Sequence, residues 1–208
     1  RAEAAAATAE GSGYPVKNDL WDFESGTVWL SGARNEVVTF QLVVECKPED
    51  IRGIRFRNVA PFQVEVFQNV AIPIQERWCD DALVPVNLSD AARSIRSIAS
   101  LAAAVPGRKR QTFTVEIYVP KKTQAGDRRF SIEIRCRKSV WVVNGQLKVH
   151  RFELPDKPAC TADINNYGRA PASGFEGALD DPRRYLKIER AYFREARKHR
   201  VMFHLLPY

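Results

Sequence analysis

The chain has 208 residues, of which 45% are apolar and 27% are charged, a composition typical of globular domains rather than of disordered or fibrous proteins. No run of about 18 apolar residues occurs, which argues against a membrane-spanning helix, so we expect no membrane partner. The net charge is +7, which calls for a look at where the basic residues lie before nucleic acid binding is considered.

Basic residues are concentrated between Arg183 and Arg200, where eight of them are accompanied by two acidic residues. No aromatic RNA-binding motif or other nucleic-acid motif goes with them. A basic outer face is common on solvated amphipathic helices. We therefore expect no nucleic acid partner.

The N-terminal segment, residues 1–24, begins with RAEAAAATAEGSGYP, which is rich in Ala and Gly and has no periodic apolar face. We predict a flexible segment. Its small residues resemble the cleavage end of a secretory leader, but the apolar middle region of a leader is absent. The compartment is therefore left open, with a secreted or periplasmic location as one alternative.

Residues 25–155 show an apolar period of two, which is typical of strands with one buried face. The clearest strands are 38–44, 113–119 and 130–136, and shorter ones are predicted at 28–30, 54–56, 64–70, 140–143 and 147–154. About eight strands separated by turns predict a mostly β fold, an antiparallel β-sandwich.

Two interruptions of this pattern have their own signals. Asn144-Gly145 predicts a hairpin between the last two strands, because a type I′ turn needs positive φ at both central residues. Residues 90–105 place apolar side chains at helical spacing after Ser89-Asp90 and predict a short helix.

The four cysteines, Cys46, Cys79, Cys136 and Cys160, are widely spaced. They form no C-x-x-C pair and have no histidine at metal-ligand spacing, so the sequence predicts no metal site, and it indicates no cofactor. Cys46 and Cys136 fall at strand ends. Buried thiols are favoured over a disulfide, which stays open as the alternative.

Residues 156–208 have a different pattern. The prolines of LPDKPAC indicate a linker, and a strand is predicted at 161–166. Asp181-Pro182 is a helix start signal, and an apolar strand at 201–206 follows the helix. Strand, helix and strand form one βαβ unit, which cannot cover both faces of its strands, so we expect it to begin a larger α/β barrel or doubly wound sheet.

Several stretches, taken in their order along the chain, resemble glycoside hydrolase family 123. They are SGARNEVVTFQLVVE (31–45), DDALVPV (80–86), VEIYVPKKTQAG (115–126), FELP (152–155) and ERAYFREARKHRVMFHLLPY (189–208). The resemblance covers about residues 25–208. It implies an N-terminal β-sandwich at 25–155 and the incomplete start of a (β/α)₈ barrel at 156–208, with the remaining barrel expected beyond this chain.

The resemblance also implies substrate-assisted hydrolysis of N-acetyl-hexosaminide glycans, in which an Asp-Glu pair orients the acetamide and acts as general acid and base. No Asp-Glu dipeptide occurs here, so we predict no catalytic residue in this chain and expect the chain alone to be inactive. The acidic pairs Glu49-Asp50, Asp80-Asp81 and Asp180-Asp181 are interpreted as turn, strand-edge and cap residues.

Ligands of (β/α)₈ barrels bind at the C-terminal ends of the strands. This predicts a glycan-binding site that includes Asn165, Asn166, Tyr167, His204 and Tyr208, since amides and aromatic rings suit sugars. A loop-capping role for the asparagines and a packing role for His204 remain alternatives.

The alternative function is a non-catalytic β-sandwich that binds carbohydrate or protein. Trp29, Trp78 and Trp141 could serve as sugar platforms in such a protein. Trp29 and Trp141 lie within predicted strands, however, and core packing is the favoured interpretation for them.

Overall fold

The computed structural model describes residues 18–47, 50–74, 77–86, 109–158, 162–167, 170–173 and 175–206, with the backbone alone described at 72–74, 77–82, 167, 170, 205 and 206. Within these residues the chain forms eleven strands and two helices. They are β1 (Trp21–Asp22), β2 (Thr27–Arg34), β3 (Glu36–Val44), β4 (Ile51–Arg57), β5 (Gln63–Ile74), β6 (Arg77–Val86), β7 (Gln111–Val119), β8 (Gly126–Cys136), β9 (Val140–Glu153), β10 (Ala162–Tyr167), α1 (Ala170–Ser173), α2 (Pro182–Lys198) and β11 (Val201–Leu206). The chain divides into two compact units, with the boundary between Leu154 and Pro155.

The first unit is built from two sheets around one apolar core. The five-stranded sheet has the order β1-β2-β9-β8-β4, and the four-stranded sheet has the order β3-β7-β5-β6. Ile54, Ile132 and Leu147 of the first sheet and Phe113 and Ile117 of the second belong to one cluster and are fully buried. Alternate residues of both sheets thus supply the core, which is the arrangement of a β-sandwich. The predicted mostly β, sandwich-like class is confirmed.

One strand pair departs from the predicted antiparallel arrangement. β2 and β9 run parallel, in a register that joins Thr27 to Asn144 and Gly32 to Val149. An apolar period of two arises in parallel and antiparallel strands alike. The sequence pattern therefore located both strands without determining their relative direction.

The turn at Asn35 carries the chain from the five-stranded to the four-stranded sheet. Its φ is +62°, a left-handed conformation that asparagine tolerates better than most residues. The Asn35 amide nitrogen donates to the Leu154 carbonyl at 2.8 Å, and the Tyr118 hydroxyl donates to the Asn35 side-chain oxygen at 3.0 Å. The Ala33 backbone N–H donates to the Glu36 carboxylate at 2.5 Å. This turn is thus fixed by side chains from its own strands and from β7.

The hairpin predicted at Asn144-Gly145 is wrong, because β9 continues through both residues as a single strand. Gly145 pairs with Phe130 of β8, and a Cβ atom at Gly145 would overlap the Phe130 ring. Phe130 is buried in the core. Glycine is thus required here for close approach of an aromatic side chain rather than for a turn.

β6 is absent from the predicted strands, although Asp80-Asp81 within it was interpreted as a pair of strand-edge residues. It contains Asp80-Asp81 and Pro85 and lies at the edge of the four-stranded sheet, where an acidic pair and a proline are tolerated because one side of the strand forms no ladder. β1 lies inside the segment 1–24 that was predicted to be flexible, and it pairs with β2. The helix predicted at 90–105 lies outside the described residues.

The second unit contains the predicted strand, helix and strand. β10 and β11 pair in parallel, and α2 begins after Asp181, whose carboxylate accepts from the backbone N–H of Arg183 at 2.9 Å and of Arg184 at 3.2 Å. Asp181 is thus the predicted N-cap, with Pro182 at the first helical position. That this unit begins a (β/α)₈ barrel stays a prediction. Among the described residues, no helix combines the length and apolar character needed to cross a membrane.

Glu133 of β8 is a buried carboxylate held between two arginines. It accepts from Arg57 Nη2 at 2.8 Å and from Arg135 Nε at 2.6 Å. These hydrogen bonds, that of Arg57 foremost, hold the pKa of Glu133 below its usual 4.5, although burial acts in the opposite direction. The charged form is therefore the one that the folded state stabilises.

We expect Gly145→Ala to lower the free energy of unfolding by about 2 kcal/mol, because the new methyl group overpacks the core against Phe130. Urea denaturation measures this change. Asn144→Ala is the matched control, since Asn144 is exposed, and should change stability by less than about 0.5 kcal/mol. Combining Gly145→Ala with Phe130→Leu should cost less than the two single changes together. An additive double variant would contradict the predicted overlap.

We expect Glu133→Gln to lower the free energy of unfolding by about 1 kcal/mol near neutral pH, a modest value because both arginines are half exposed. The folded-state pKa of Glu133 is depressed, so its contribution is present above 4.5 and is lost as the pH falls through the lowered folded-state value. Urea denaturation from neutral to acidic pH should show that the free energies of unfolding of the unaltered protein and of Glu133→Gln become equal in acid. Glu153→Gln at an exposed site is the control, and a pH-independent difference for Glu133→Gln would contradict the expectation.

Candidate functional site

The two strands of the second unit have one face covered by α2. Phe203 of β11 is buried on this face, stacked on Tyr192 with ring centroids 5.5 Å apart and in edge contact with Phe193 at 5.4 Å. Successive side chains of a strand point to opposite faces. The residues next to Phe203 along β11, Met202 and His204, therefore point away from α2.

The face away from α2 carries three polar side chains, here called the polar face: Asp163, Asn165 and His204. Asn165 is the register partner of His204, and Asp163 lies two residues earlier on the same face of β10. All three are exposed, the His204 side chain by 60% and the Asp163 side chain by 37%. An amide, an imidazole and a carboxylate are thus accessible together on one side of the sheet.

His204 and Asp163 are joined directly. His204 Nδ1 lies 3.2 Å from Asp163 Oδ2. An ionised carboxylate can only accept hydrogen bonds, so this contact favours the proton on Nδ1 and leaves Nε2 as the acceptor of the neutral ring. Because both side chains are solvated, the attraction orients the ring more than it stabilises the fold.

The predicted site residues fall into three groups. Asn165 and His204 are brought together as neighbours, whereas Asn166 lies on the opposite face of β10, the one that faces α2. Tyr167 is the last residue of β10, where the backbone is described. Tyr208 lies outside the described residues. The glycan-binding role of all five residues stays a prediction.

Asp163 was not predicted as a site residue, although the sequence contains a signal for it. The strand predicted at 161–166 already placed Asp163 two residues before Asn165, on the same face. The prediction considered only residues at the C-terminal ends of the strands, and Asp163 lies near the beginning of β10. Its contact with His204 depends on the parallel register of β10 and β11, which the sequence does not state.

The remaining acidic and histidine candidates have structural surroundings. Asp181 caps α2, and His199 at the end of that helix lies with Nε2 3.2 Å from Glu195 Oε1 on an exposed surface. Asp80 and Asp81 lie in the edge strand β6, and Glu49 lies outside the described residues. These positions fit cap and edge roles.

The outer surface of the five-stranded sheet offers a second candidate. Trp29 on β2 is 38% exposed, so its predicted core role is wrong, whereas Trp141 does pack against the core. Val140 and Val142 of β9 are 56% exposed on the same outer face. His150 stacks on Phe152 at 5.4 Å, and its Nε2 lies 2.6 Å from the Ser31 hydroxyl. Trp78 lies in β6, where the backbone is described.

No protein-family model and no curated protein matches the sequence. Among solved structures, the chain is similar to a family 123 glycoside hydrolase from Clostridium perfringens, with 12% identity and a TM-score of 0.48 over 84% of this chain and 32% of that chain. It is also similar to the C-terminal domain of the antigen I/II-family protein AspA of Streptococcus pyogenes, with 14% identity and a TM-score of 0.33 over 58% and 41% of the two chains. An ASH/PapD-like domain of a human protein has 10% identity and a TM-score of 0.25, over 62% and 83%.

The chain thus spans about a third of the length of the family 123 enzyme. Similarities at this level establish neither a family nor an activity for the chain.

Proposed function

We propose that this chain is the amino-terminal part of a glycoside hydrolase that acts on N-acetyl-hexosaminide glycans by substrate-assisted hydrolysis. In this proposal the polar face forms part of the sugar-binding site. The catalytic Asp-Glu pair and the other barrel strands belong to a portion of the protein outside residues 1–208. The chain itself holds substrate and supplies no general acid.

The observation that carries the proposal is the polar face itself. Asn165 and His204 occupy the fourth positions of two six-residue parallel strands, directly opposite each other. Ligands of α/β proteins bind at the carboxyl ends of parallel strands, because backbone groups and loops are open to a ligand there. The family 123 resemblance of the separated sequence stretches supports the same assignment.

The chemistry of the polar face suits a sugar. The Asn165 amide can donate from its nitrogen and accept at its oxygen, which matches two neighbouring hydroxyls or an acetamide group. Asp163 fixes the His204 ring so that Nε2 can accept from a further hydroxyl. Each such hydrogen bond contributes about 1 kcal/mol net in an exposed site.

The second candidate function is glycan binding by the sandwich without catalysis, and the exposure of Trp29 favours it. Its neighbours across the outer face are Gln146 of β9 and, one strand further, Arg129 of β8. An indole beside amide and guanidinium donors can stack on a sugar ring and hydrogen-bond its hydroxyls. The two candidates place the ligand on different units.

We expect Asn165→Ala to weaken binding of an N-acetyl-hexosamine about fivefold or more, because it removes a donor and an acceptor from the polar face. Asn166→Ala is the matched control, since it changes the same residue type at the next position on the opposite face. Nuclear magnetic resonance titration of the labelled chain with N-acetyl-galactosamine and N-acetyl-glucosamine measures both affinities and maps the shifted residues.

Shifts centred on Asn165 and His204 support the proposed site. Shifts centred on Trp29 and Gln146 support the second candidate instead. Equal weakening by Asn165→Ala and Asn166→Ala, or no response of β10 and β11 at saturating sugar, would contradict a site on the polar face.

We also expect the purified chain to hydrolyse no aryl N-acetyl-hexosaminide, because no Asp-Glu pair is present to orient the acetamide and protonate the leaving group. Release of the aryl alcohol, followed by absorbance, measures the rate against a buffer blank. Turnover that co-purifies with the chain and disappears in Asp163→Asn, but persists in Asp180→Asn, would show that this chain holds its own catalytic acid.

A further inference from the structure

Two cysteines lie where the chain crosses between the sheets of the sandwich. Cys46 follows β3 of the four-stranded sheet and begins the connection to β4, while Cys136 is the last residue of β8 in the five-stranded sheet. β4 pairs with β8 so that its first residue, Ile51, is the partner of Cys136. The Arg137 backbone N–H donates to the Asp50 carbonyl at 2.8 Å. The crossover is thereby held against the end of β8.

The Cys46 and Cys136 side chains are joined by a hydrogen bond at this crossover. Both sulfurs are reduced, Cys136 is buried in the core, and Cys46 is partly buried against the same core. Burial first and the hydrogen bond with Cys46 second raise the pKa of the Cys136 thiol. This hydrogen bond shows that the two residues, which are far apart in sequence, lie within side-chain reach of each other in the fold.

We propose that Cys46 and Cys136 are a site of disulfide formation, and that this disulfide joins the two sheets of the sandwich when the chain meets an oxidising thiol–disulfide couple. The inference concerns the first unit and does not depend on whether the polar face binds a sugar. The sequence left a disulfide open as an alternative to buried thiols, and this proposal assigns that disulfide to one specific pair of cysteines.

The position of Cys46 outside the strands allows it to adjust towards Cys136. A disulfide requires a sulfur separation of about 2 Å and a restricted Cα separation. Cys46 lies outside any strand, so its Cα–Cβ torsion and its backbone can adjust while Cys136 keeps its ladder position. Its partial exposure also gives a small oxidant access to one of the two sulfurs.

The reaction follows from the unequal environments of the thiols. The Cys46 thiol loses its proton and attacks a small disulfide such as oxidised glutathione, which forms a mixed disulfide at Cys46 and releases one glutathione thiolate. The Cys136 thiol then loses its proton and attacks the Cys46 sulfur, which releases the second glutathione. The two cysteines lose two protons and two electrons, and one molecule of oxidised glutathione becomes two of reduced glutathione. Because the pKa of Cys136 is raised, the second step should be slower and should accelerate with pH.

The bond closes a loop of about 90 residues that includes β4 to β8. A loop of this length restricts the unfolded chain strongly, so the oxidised protein should melt roughly 10 °C above the reduced protein. The native sheets already hold the two sulfurs together, so most of the effect comes from the unfolded state.

The experiment incubates the chain with equal concentrations of oxidised and reduced glutathione, quenches with acid and an alkylating agent, and maps the peptides without reduction. A Cys79→Ser/Cys160→Ser variant retains the proposed pair and serves as the matched control for other pairings. We expect the loss of two hydrogen atoms, a linked Cys46–Cys136 peptide and the higher melting temperature in both proteins. In Cys136→Ser, glutathione should remain attached to Cys46.

Alkylation of both thiols after prolonged oxidation, a stable glutathione adduct at Cys46 in the unaltered chain, or linkage of either cysteine to Cys79 or Cys160 would each overturn the proposal. Peptide mapping of the unaltered chain decides the question even where a serine variant fails to fold. An unchanged melting temperature with the linkage present would overturn the inference that the bond stabilises the sandwich.

Discussion

The connection between the two sheets of the sandwich depends on the hydrogen bonds of Asn35. Its backbone is in the left-handed region, and its N–H donates to the Val119 carbonyl at the end of β7 at 2.7 Å. Its side chain bonds the Leu154 carbonyl beyond β9 and the Tyr118 hydroxyl of β7. One buried residue therefore fixes the chain reversal, the position of β3 beside β7 and the position of β9 beside β2. The polar groups are satisfied mutually, so the buried amide stabilises the turn instead of costing free energy.

The sandwich and the second unit use polar side chains differently. In the sandwich, several buried polar residues satisfy one another: Gln111 donates to the Asn69 carbonyl at 2.9 Å, and the Thr114 hydroxyl donates to the Asn69 side chain at 2.9 Å. Such groups have little capacity left for a ligand. On β10 and β11 the amide of Asn165 and the imidazole of His204 are exposed and next to each other. The polar face of the second unit and the outer surface around the exposed Trp29 are therefore the two candidate surfaces for a glycan.

The apolar period of two identified the clear strands because burial on one face leaves this pattern whatever the neighbouring strand is. It did not specify the parallel direction of β2 and β9, which depends on contacts across most of the sandwich. Asn144-Gly145 has the local signature of a turn, and the Phe130 ring that requires Gly145 is distant in sequence. The candidate site shows the same division. Asn165 and His204 were predicted because they lie near the C-terminal ends of their strands, whereas the contact of Asp163 with His204 depends on the register of β10 and β11.

The parallel pairing of β2 with β9 also has a consequence for the growing chain. Their paired residues, such as Leu30 and Leu147, are separated by roughly a hundred residues. A ribosome needs on the order of ten seconds to add that many. During this time the central neighbour of β2 does not yet exist, and Val28 and Leu30, which are core residues in the finished protein, have no complete sheet to enter. The five-stranded sheet can therefore close only after β9 has been synthesised, and until then the apolar side chains of β2 lack the strand beside which they are buried.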